Sequence, residues 1–279
     1  MGARGRRVLL IALLAGAASA ASAYAAGAVP GRSRPVPLTF RWPTSVDVEP
    51  DGSLLLVENG KGRVLRIDPA TGKTTVVARA RKAYAVAHAP SGAVYLSAGR
   101  SLLRLHRKGG TTRVARAGRD IGPVAVAANG DVYYTTDTKV FRLARGTGAP
   151  AAVGDRLSGP HGLAVTGDGG LLVSDTGHGR VVRIDLGTGQ VETWGDIAAP
   201  RGIDIAPDHT VYAVDASTDR VIHLIVDGRK LGSVRHAFSD PYALAAADDG
   251  SVYVVDTSVA GRLYRVGPNG RTTVVSRSP

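Results

Sequence analysis

Short apolar runs alternate with turn residues along most of the chain, in a pattern that returns about every 40 residues. The pattern is anchored on Gly52, Gly92, Gly130, Gly169, His209 and Gly250, at spacings of 40, 38, 39, 40 and 41 residues. Five of these six anchors are glycines that follow Asp, Ser or Asn, and such pairs supply the positive φ angles of tight hairpin turns. The chain is therefore expected to contain six copies of one unit.

Each unit contains four apolar runs. In the fourth unit they span residues 162–165, 171–173, 181–184 and 191–194. The runs are rich in β-branched residues and are closed by turn residues, as β-strands are, and no segment has a useful helical period. The pattern predicts an all-β fold, a six-bladed β-propeller of four-stranded antiparallel blades. The expected blades are residues 43–82, 83–120, 121–159, 160–199, 200–240 and 241–279, and either residues 39–42 or the C-terminal run could close the ring.

The first 26 residues do not share the repeat. Arginines at positions 4, 6 and 7 precede an apolar run of about eleven residues, which Ala- and Ser-rich sequence follows. Such a run is too short to span a bilayer, and this order is typical of a secretory signal peptide. We therefore expect residues 1–26 to be a signal peptide, 27–38 a Pro-rich leader and 39–279 the propeller of a secreted, extracytoplasmic protein without a stable membrane anchor. An uncleaved N-terminal anchor is the alternative.

The composition excludes some kinds of functional site and some kinds of partner. The 279 residues include no Cys, which excludes disulfides, thiolate nucleophiles and Cys-based metal sites. The 35 Lys and Arg against 23 Asp and Glu give a net charge of +12, which falls to +9 when the three arginines of the signal peptide are lost. Export would remove nucleic acid as a natural partner, and the low aromatic content offers few stacking platforms. We expect a monomer that meets a small molecule, a glycan or a protein.

Comparison of the six units separates structural positions from functional ones. A carboxylate and a cation five or six residues later recur together in four blades, as Glu58 with Arg63, Asp175 with Arg180, Asp215 with Arg220 and Asp256 with Arg262. This coupling predicts an ion pair that holds a loop within the blade. A second basic position recurs in all six blades, as Arg66, Arg104, Arg142, Arg183, His223 and Arg265. We interpret it as a solvated strand position or a contact between blades.

Residues 43–279 resemble NHL-repeat propellers and their relatives. The resemblance is carried by P-H-G-L-A-V…D-G…L-V-S-D-T-G-H-G-R-V-V-R-I-D at 160–185, by P-R-G-I-D-I…V-Y-A-V-D…D-R-V at 200–221, and by the copies that begin at Pro43 and Pro241. It implies the propeller fold. It does not imply one activity, because related propellers include enzymes, sensor domains and binding modules.

In this resemblance, the position after the blade-opening residue, a proline in four of the six blades, lies at one mouth of the central channel. No residue type occupies that position in more than two blades: Thr44, Tyr84, Gly122, His161, Arg201 and Tyr242. Varied residues around a pseudo-symmetric ring favour a binding site. The flanking Arg41, Lys82 and Arg119 make this mouth positive, with Asp120 and Asp240 as partial counterweights. We therefore predict affinity for an anionic or carbonyl-rich ligand.

His161 is the strongest candidate for a catalytic or metal-binding residue, because a neutral imidazole near pH 7 can act as a general base or a metal ligand. His178, in the second loop of the same blade, is a further candidate. For both residues the alternative is a loop histidine that bonds a neighbouring backbone carbonyl.

The sequence around His161 resembles the E-P-H-G-I motif of virginiamycin B lyases, in which a glutamate follows fourteen residues after the histidine. Here Gly159 replaces the first glutamate and Asp175 stands at plus fourteen, and the match falls in blade four instead of the last blade. The resemblance implies a lyase that abstracts a proton beside an ester through His161. One of its acids is absent, and the other is already assigned to Arg180.

Two metal-dependent families fit less well. The senescence-marker/gluconolactonase family, which is similar in blade number, has a carboxylate at the first blade opening and further Asn and Asp ligands at the mouth, whereas Arg41 and Trp42 stand at that opening here. Peptidyl-amidoglycolate lyases hold zinc with histidines from three blades, and here only His161 occupies such a position. We predict no metal site.

Two hypotheses result. The first is a propeller that binds a ligand at the mouth without catalysis and needs no cofactor. The second is a C–O lyase or a lactone or ester hydrolase with His161 as general base, which could use Mg²⁺ or Ca²⁺. An imidazole that faces the channel within reach of an acid other than Asp175 would favour the second, and an imidazole capped by a backbone carbonyl would favour the first.

Overall fold

The computed structural model describes residues 36–217, 222–226, 229–234, 236, 238–258 and 260–277. The predicted signal peptide, most of the predicted leader, Arg220 and the side chain of His223 lie outside the described residues. Within them, the predicted class is confirmed: the chain is an all-β propeller of four-stranded antiparallel sheets. The described residues form six such sheets and one two-stranded ribbon.

The strands follow one another in simple chain order within each sheet. After β1 (Val36–Pro37), the first three blades contain β2 (Pro43–Val48), β3 (Leu54–Glu58), β4 (Arg63–Ile67) and β5 (Thr74–Arg79); β6 (Ala83–His88), β7 (Val94–Ala98), β8 (Ser101–Leu105) and β9 (Thr111–Arg116); and β10 (Val124–Val126), β11 (Val132–Thr135), β12 (Val140–Leu143) and β13 (Ala151–Gly154). Single 3₁₀ turns cover Asn59–Lys61 and Ala144–Gly146.

The last three blades repeat this arrangement. They contain β14 (Gly162–Val165), β15 (Gly170–Asp175), β16 (Arg180–Asp185) and β17 (Val191–Asp196); β18 (Pro200–Ile205), β19 (Val211–Asp215), β20 (Ile222–Val226) and β21 (Arg229–Val234); and β22 (Pro241–Ala246), β23 (Val252–Asp256), β24 (Arg262–Val266) and β25 (Thr272–Val274), followed by β26 (Ser276–Arg277). A third 3₁₀ turn covers Thr176–His178.

The core lies between neighbouring blades, because the inner strands of each sheet carry apolar side chains on both faces. Six clusters of buried side chains each join two neighbouring blades. The innermost strands contact one another in ring order, β2, β6, β10, β14, β18 and β22, and β22 contacts β2 again. The blades therefore enclose a central channel with a volume of about 380 Å³, which the innermost strands line.

Both ends of the described chain close the ring. β25 pairs with β24 as the outer strand of the last blade. Thr39 then forms a bridge to Arg262 in the same blade, and Leu38 donates its backbone N–H to the Val275 carbonyl at 3.1 Å. β1 and β26 pair in turn to form the ribbon. Each of the two alternatives that the sequence left open thus supplies part of the closure.

The predicted ion pairs within blades are found for two carboxylates. Glu58 bonds Arg63, and Asp175 Oδ2 lies 2.9 Å from Arg180 Nε. The prediction is wrong for Asp256, whose carboxylate instead accepts three backbone N–H groups, those of Ser239, Asp240 and Ser258, with no ion pair to Arg262 among the described residues.

These carboxylates also share a contact that the sequence comparison missed. Each accepts a backbone N–H from the segment that leads into its own blade's innermost strand, donated by Arg41 to Glu58, by Ser158 to Asp175, by Ala199 to Asp215 and by Ser239 to Asp256. A buried backbone donor needs such an acceptor. The carboxylate column therefore holds the segments that end at the channel mouth.

In the second basic column, the arginines occupy partly or fully solvated strand positions, as one of the two interpretations predicted. Its arginines bond carboxylates around the hairpin turn of their own blade, at the end of the channel opposite the mouth: Arg66 bonds Glu49, Arg142 bonds Asp131, Arg183 bonds Asp168 and Arg265 bonds Asp249. Arg104 in blade two has no carboxylate partner among the described residues, because its turn, residues 89–93, contains no acid.

Candidate functional site

A backbone irregularity turns the varied residues toward the channel mouth. In blades one, two, five and six the pairing of the innermost strand skips one or two residues directly after its first residue. The skipped residues include Thr44, Tyr84, Arg201 and Tyr242. An extra residue in one strand of an antiparallel pair is left unpaired and its side chain is re-aimed. The structure thus places four of the six predicted ring residues at bulges, whereas Gly122 and His161 lie just before the innermost strands of their blades.

Two tyrosines from blades that are not neighbours meet at this mouth. The hydroxyl oxygens of Tyr84 and Tyr242 lie 2.7 Å apart, and the rings pack edge to face with centroids 6.4 Å apart. Thr44, from the blade between them, donates its hydroxyl to the Tyr84 carbonyl at 2.6 Å. Burial raises the pKa of both tyrosines, and for Tyr84 the charge of an ionised Tyr242 and the shared hydrogen bond raise it further. Both hydroxyls therefore stay protonated at neutral pH.

Arg201 lies against the same tyrosine pair. Its Nη1 donates to Asp240 Oδ1 at 2.7 Å and to the Pro241 carbonyl at 3.3 Å. The guanidinium carbon lies 5.2 Å from the centroid of the Tyr242 ring, which is cation–π distance. Asp240 also accepts the Thr257 hydroxyl at 2.6 Å, so the acid is held from two sides. Arg201 is therefore fixed in place while its other N–H groups have no partner among the described residues.

His161 completes the cluster from blade four. Its ring lies 5.9 Å from that of Tyr242, and its Nδ1 lies 3.1 Å from the Thr176 hydroxyl. Burial, followed by the positive charge of Arg201, lowers the pKa of His161 below its usual value. The imidazole is therefore neutral at pH 7.

Thr176 selects the tautomer of this neutral ring. Its hydroxyl has two other neighbours, the carbonyl oxygens of Pro200 and Ser174, which can only accept hydrogen bonds. The hydroxyl must therefore donate to a carbonyl and accept from His161, so the proton of the imidazole resides on Nδ1. Nε2 then carries the lone pair. The ring is capped neither by an acid nor directly by a backbone carbonyl, so it meets neither of the two conditions that would separate binding from catalysis.

His178 lies outside this cluster. Its Nδ1 lies 2.8 Å from Asp175 Oδ2, and its side chain is about half exposed at 48%. Asp175 is fully buried and also accepts from Arg180 and from the Ser158 N–H. The structure therefore brings neither His178 nor the acid at plus fourteen into hydrogen bonding with His161.

The positive charges that flank the mouth have more nearby carboxylate partners than the sequence predicts. Lys82 Nζ lies 3.1 Å from Asp120, and Arg119 Nη1 lies 3.2 Å from Asp137. Arg41 is exposed and has no ion pair among the described residues, but its backbone N–H is held by Glu58. The mouth is thus a set of fixed, directional donors and acceptors in which most positive charges have a neighbouring acid.

The donor set at the mouth does not suit the divalent metal that the gluconolactonase resemblance implies. Such an ion takes several oxygen ligands, chiefly carboxylates. Here Asp240 is bonded to Arg201, Glu58 to Arg63, and Asn59 donates its side-chain amide to the Ala83 carbonyl. In the described part of the chain, no three His, Asp or Glu side chains are arranged to hold a metal.

The opposite end of the channel contains a polar group that the sequence analysis missed. Asp47 Oδ2 accepts both the backbone N–H of His88, at 2.6 Å, and its Nδ1, at 2.7 Å, while Asp204 accepts the N–H of Ala246 at 2.8 Å. Each carboxylate thus joins its own blade to the next. Asp47 and Asp204 share one repeat position at which the other four blades have Ala. That contrast is the signal that could have found them.

Burial and the negative charge of Asp47 raise the pKa of Asp204, although hydrogen bonds from two backbone N–H groups lower it. The pKa of Asp204 rises to about 6, with burial as the main cause. The hydrogen bond to Asp47 raises the pKa of His88, assisted by the negative charges of Asp47, Glu49 and Asp204. This end of the channel therefore gains and loses protons near neutral pH.

The fold and the mouth define the class of the protein: a propeller whose innermost strands present a polar cluster at one end of a closed channel. The family model for the SMP-30/Gluconolactonase/LRE-like region matches residues 43–279. The chain belongs to this family. The described residues contain no helix that is long and apolar enough to cross a membrane.

Solved structures share the fold at low sequence identity. A streptogramin B lyase is 16% identical with a TM-score of 0.67, covering 88% of this chain and 86% of its own. The virginiamycin B lyase from Staphylococcus aureus with quinupristin is 17% identical with a TM-score of 0.66, covering 87% of each chain. The gluconolactonase XC5397 from Xanthomonas campestris is 15% identical with a TM-score of 0.72, covering 88% and 99%. No curated protein matches the sequence significantly.

Proposed function

We propose that the propeller binds an anionic or carbonyl-rich ligand at the mouth formed by Tyr84, His161, Arg201 and Tyr242. The observation that carries the proposal is the convergence of these four side chains from four blades, each held by its own hydrogen bond or ring contact. Side chains fixed in this way lose little further freedom when a ligand binds.

The cluster offers complementary groups for a carbonyl or a carboxylate. The N–H groups of Arg201 that are not used by Asp240 can donate to a ligand oxygen, and a guanidinium does so in a fixed fork. The two tyrosine hydroxyls use one proton between them, which leaves the other for the ligand. Nε2 of His161 accepts a hydrogen bond from a ligand hydroxyl or amide. Glycans and small carbonyl compounds present these groups together.

Calorimetric titration tests the binding proposal. Gluconolactone, gluconate and quinupristin are suitable probes, since the similar structures are a gluconolactonase and a lyase with quinupristin. Arg201→Gln should weaken binding at least about tenfold, because a charge-assisted hydrogen bond contributes about 1.5–3 kcal/mol. The matched control is Arg265→Gln, which also removes an ion-paired arginine but lies at the opposite end of its blade. Equal weakening in both variants, or no binding of any probe by the native protein, would contradict the proposal.

A second candidate function is a lyase or a lactone or ester hydrolase with His161 as general base. The neutral Nδ1–H tautomer favours it, because Nε2 can accept a proton from a carbon beside an ester or from water. Arg201 would then stabilise the negative charge that develops on the carbonyl oxygen.

Turnover separates the two functions. Gluconolactone and quinupristin should be converted by the native protein and at least about a hundredfold more slowly by His161→Ala if catalysis occurs. His178→Ala is the control, since His178 does not contact the cluster. If the native protein binds these compounds but does not convert them, with or without Mg²⁺, it is a binding protein, and the lyase or hydrolase function is excluded for these substrates.

A further inference from the structure

One long stretch of the chain contains basic residues but no acidic ones. Residues 69–119 contain eleven Lys and Arg and no Asp or Glu. The stretch covers the outer strand of blade one and nearly all of blade two. Its blade-two cations are called the basic edge here: Arg100, Arg104, Arg107, Lys108, Arg113, Arg116 and Arg119. All seven are exposed.

The basic edge follows the outermost strand of blade two. β9 is the outer strand of its sheet, and β8 lies directly inside it. Arg100 and Arg116 lie toward the mouth end of these strands, Arg104 and Arg113 along them, and Arg107 in the turn between them. A strand of six residues is about 20 Å long. The cations thus lie along about 20 Å of the outer edge of blade two. The register of β8 with β9 puts Arg113 and Arg116 on one face of the sheet and Arg104 on the other.

Fewer of these cations have a carboxylate partner than the equivalent cations of the other blades do. Arg66, Arg142, Arg183 and Arg265 each bond a carboxylate of their own blade, whereas Arg104 at the equivalent position does not. Of the seven cations, only Arg119 has an ion pair among the described residues, with Asp137 of blade three. Blade two therefore keeps one repeated arginine, Arg104, adds other cations and contains no acid before Asp120.

We infer that the basic edge binds a linear polyanion whose charges are tetrahedral oxyanions, phosphate or sulfate, carried on a non-aromatic backbone. Six of the seven cations are Arg, which pairs with such oxyanions in a bidentate manner. The narrow outer edge, which carries these cations on both faces of the sheet, fits a single extended chain of charge. This surface is distinct from the channel mouth, so the inference does not depend on the proposed function.

Two other classes of macromolecule fit the surface less well. Single-stranded nucleic acid is usually bound by stacking its bases on aromatic side chains, and Tyr95 of blade two is buried. Membrane association is usually strengthened by inserted apolar groups. The exposed large apolar side chains of the described chain, Trp42 and Val76, both lie outside blade two.

The test measures binding of fluorescently labelled inorganic polyphosphate and dextran sulfate over a range of salt concentrations. The triple variant R104Q/R113Q/R116Q should bind at least tenfold more weakly than the native protein. The slope of log K against log salt should fall by about 3, roughly one for each arginine that no longer neutralises an oxyanion. The matched control is R229Q/K230Q/R271Q, which removes three exposed cations from blades five and six and should keep native affinity. Whichever polymer binds more tightly identifies phosphate or sulfate as the preferred group.

Three outcomes would overturn the inference. They are equal weakening in both triple variants, tighter binding of a DNA duplex than of either polymer, and tighter binding of phosphatidylglycerol–phosphatidylcholine vesicles than of either polymer. A measurement on the native protein guards against a variant that fails to fold. Polymer should protect Lys108 from acetylation and leave Lys230 reactive, and equal reactivity of the two lysines with and without polymer would also overturn the inference.

Discussion

At the scale of single residues, one hydroxyl decides which nitrogen of His161 is available. Thr176 has two carbonyl oxygens beside it and must accept from the imidazole, which leaves Nε2 with its lone pair. Arg201 adds a positive charge that disfavours protonation of the ring. Blade four supplies the imidazole and the 3₁₀ turn that sets its tautomer, while burial and then the charge of Arg201 from blade five lower the pKa of the ring.

The pKa of His161 should therefore respond to Arg201. We expect the native imidazole to titrate below its usual value of about 6.5, and Arg201→Gln to raise its pKa toward that value, since the charge is removed while the burial remains. NMR titration of the imidazole C–H signals measures this directly. Arg265→Gln should leave the His161 titration unchanged. A native His161 that titrates above 6.5 would contradict the assignment.

Comparison of the repeats could identify the mouth residues but not their partners. Tyr84, His161, Arg201 and Tyr242 stand at a position where no residue type recurs in more than two blades, and that contrast is visible in a single sequence. The contact between Tyr84 and Tyr242 spans 158 residues and depends on the curvature of the ring. The bond from His161 to Thr176 depends on the 3₁₀ turn that begins at Thr176, whose geometry has no sequence period. Asp47 and Asp204 carried the same signal at a position that the comparison did not use.

At the scale of elements, the turn carboxylates of the blades differ chiefly in burial. Asp131 of blade three is buried and accepts the Arg145 N–H, the Asn129 amide and Arg142, whereas Asp168 of blade four is two-thirds exposed and bonds Arg183 and Thr166. Removal of a buried acceptor leaves its donors unpaired, while an exposed ion pair contributes little.

We therefore expect unequal costs for the same substitution in these two blades. Asp131→Ala should lower the free energy of unfolding by about 2–3 kcal/mol, and Asp168→Ala by less than about 1 kcal/mol. Urea denaturation followed by circular dichroism compares them. Equal decreases would mean that burial of the turn carboxylate does not determine its contribution.

The contacts between blades at the far end of the channel make stability depend on pH. Because burial raises the folded-state pKa of Asp204 to about 6, the folded state binds more protons than the unfolded state between pH 4 and 6. Stability from this residue is present at low pH and is lost as pH rises through about 6. His88, whose pKa is raised by Asp47, acts in the same direction above pH 6.5. His161, whose pKa is lowered, acts in the opposite direction below pH 6.5.

Asp204→Asn should therefore flatten the pH profile. Between pH 5 and pH 7 the native protein should lose about 1–2 kcal/mol more of its unfolding free energy than the variant does. Asp208→Asn, in an exposed turn of the same blade, should keep the native profile. Chemical denaturation at a series of pH values gives both curves, and a steeper decline in Asp204→Asn would refute the assignment.

At the scale of the whole molecule, the repeat predicted the propeller because each unit must bury both faces of its sheet against a neighbour. The turn anchors and apolar runs carry that information locally. The closure does not repeat, so it has no internal copy with which to compare it. Leu38, which falls at the end of the predicted leader, is buried with Phe40 in the core that joins the first and last blades.

The ring should consequently depend on these two side chains more than their position near the edge of the fold suggests. Leu38→Ala and Phe40→Ala should each lower the free energy of unfolding by about 2–5 kcal/mol, since each removes a large buried side chain from a closed core. Thr39→Ala is the matched control, because Thr39 alternates with them, is exposed and should cost less than about 0.5 kcal/mol. Thermal and urea unfolding provide the comparison. Native stability in Leu38→Ala and Phe40→Ala would mean that β25 alone closes the propeller.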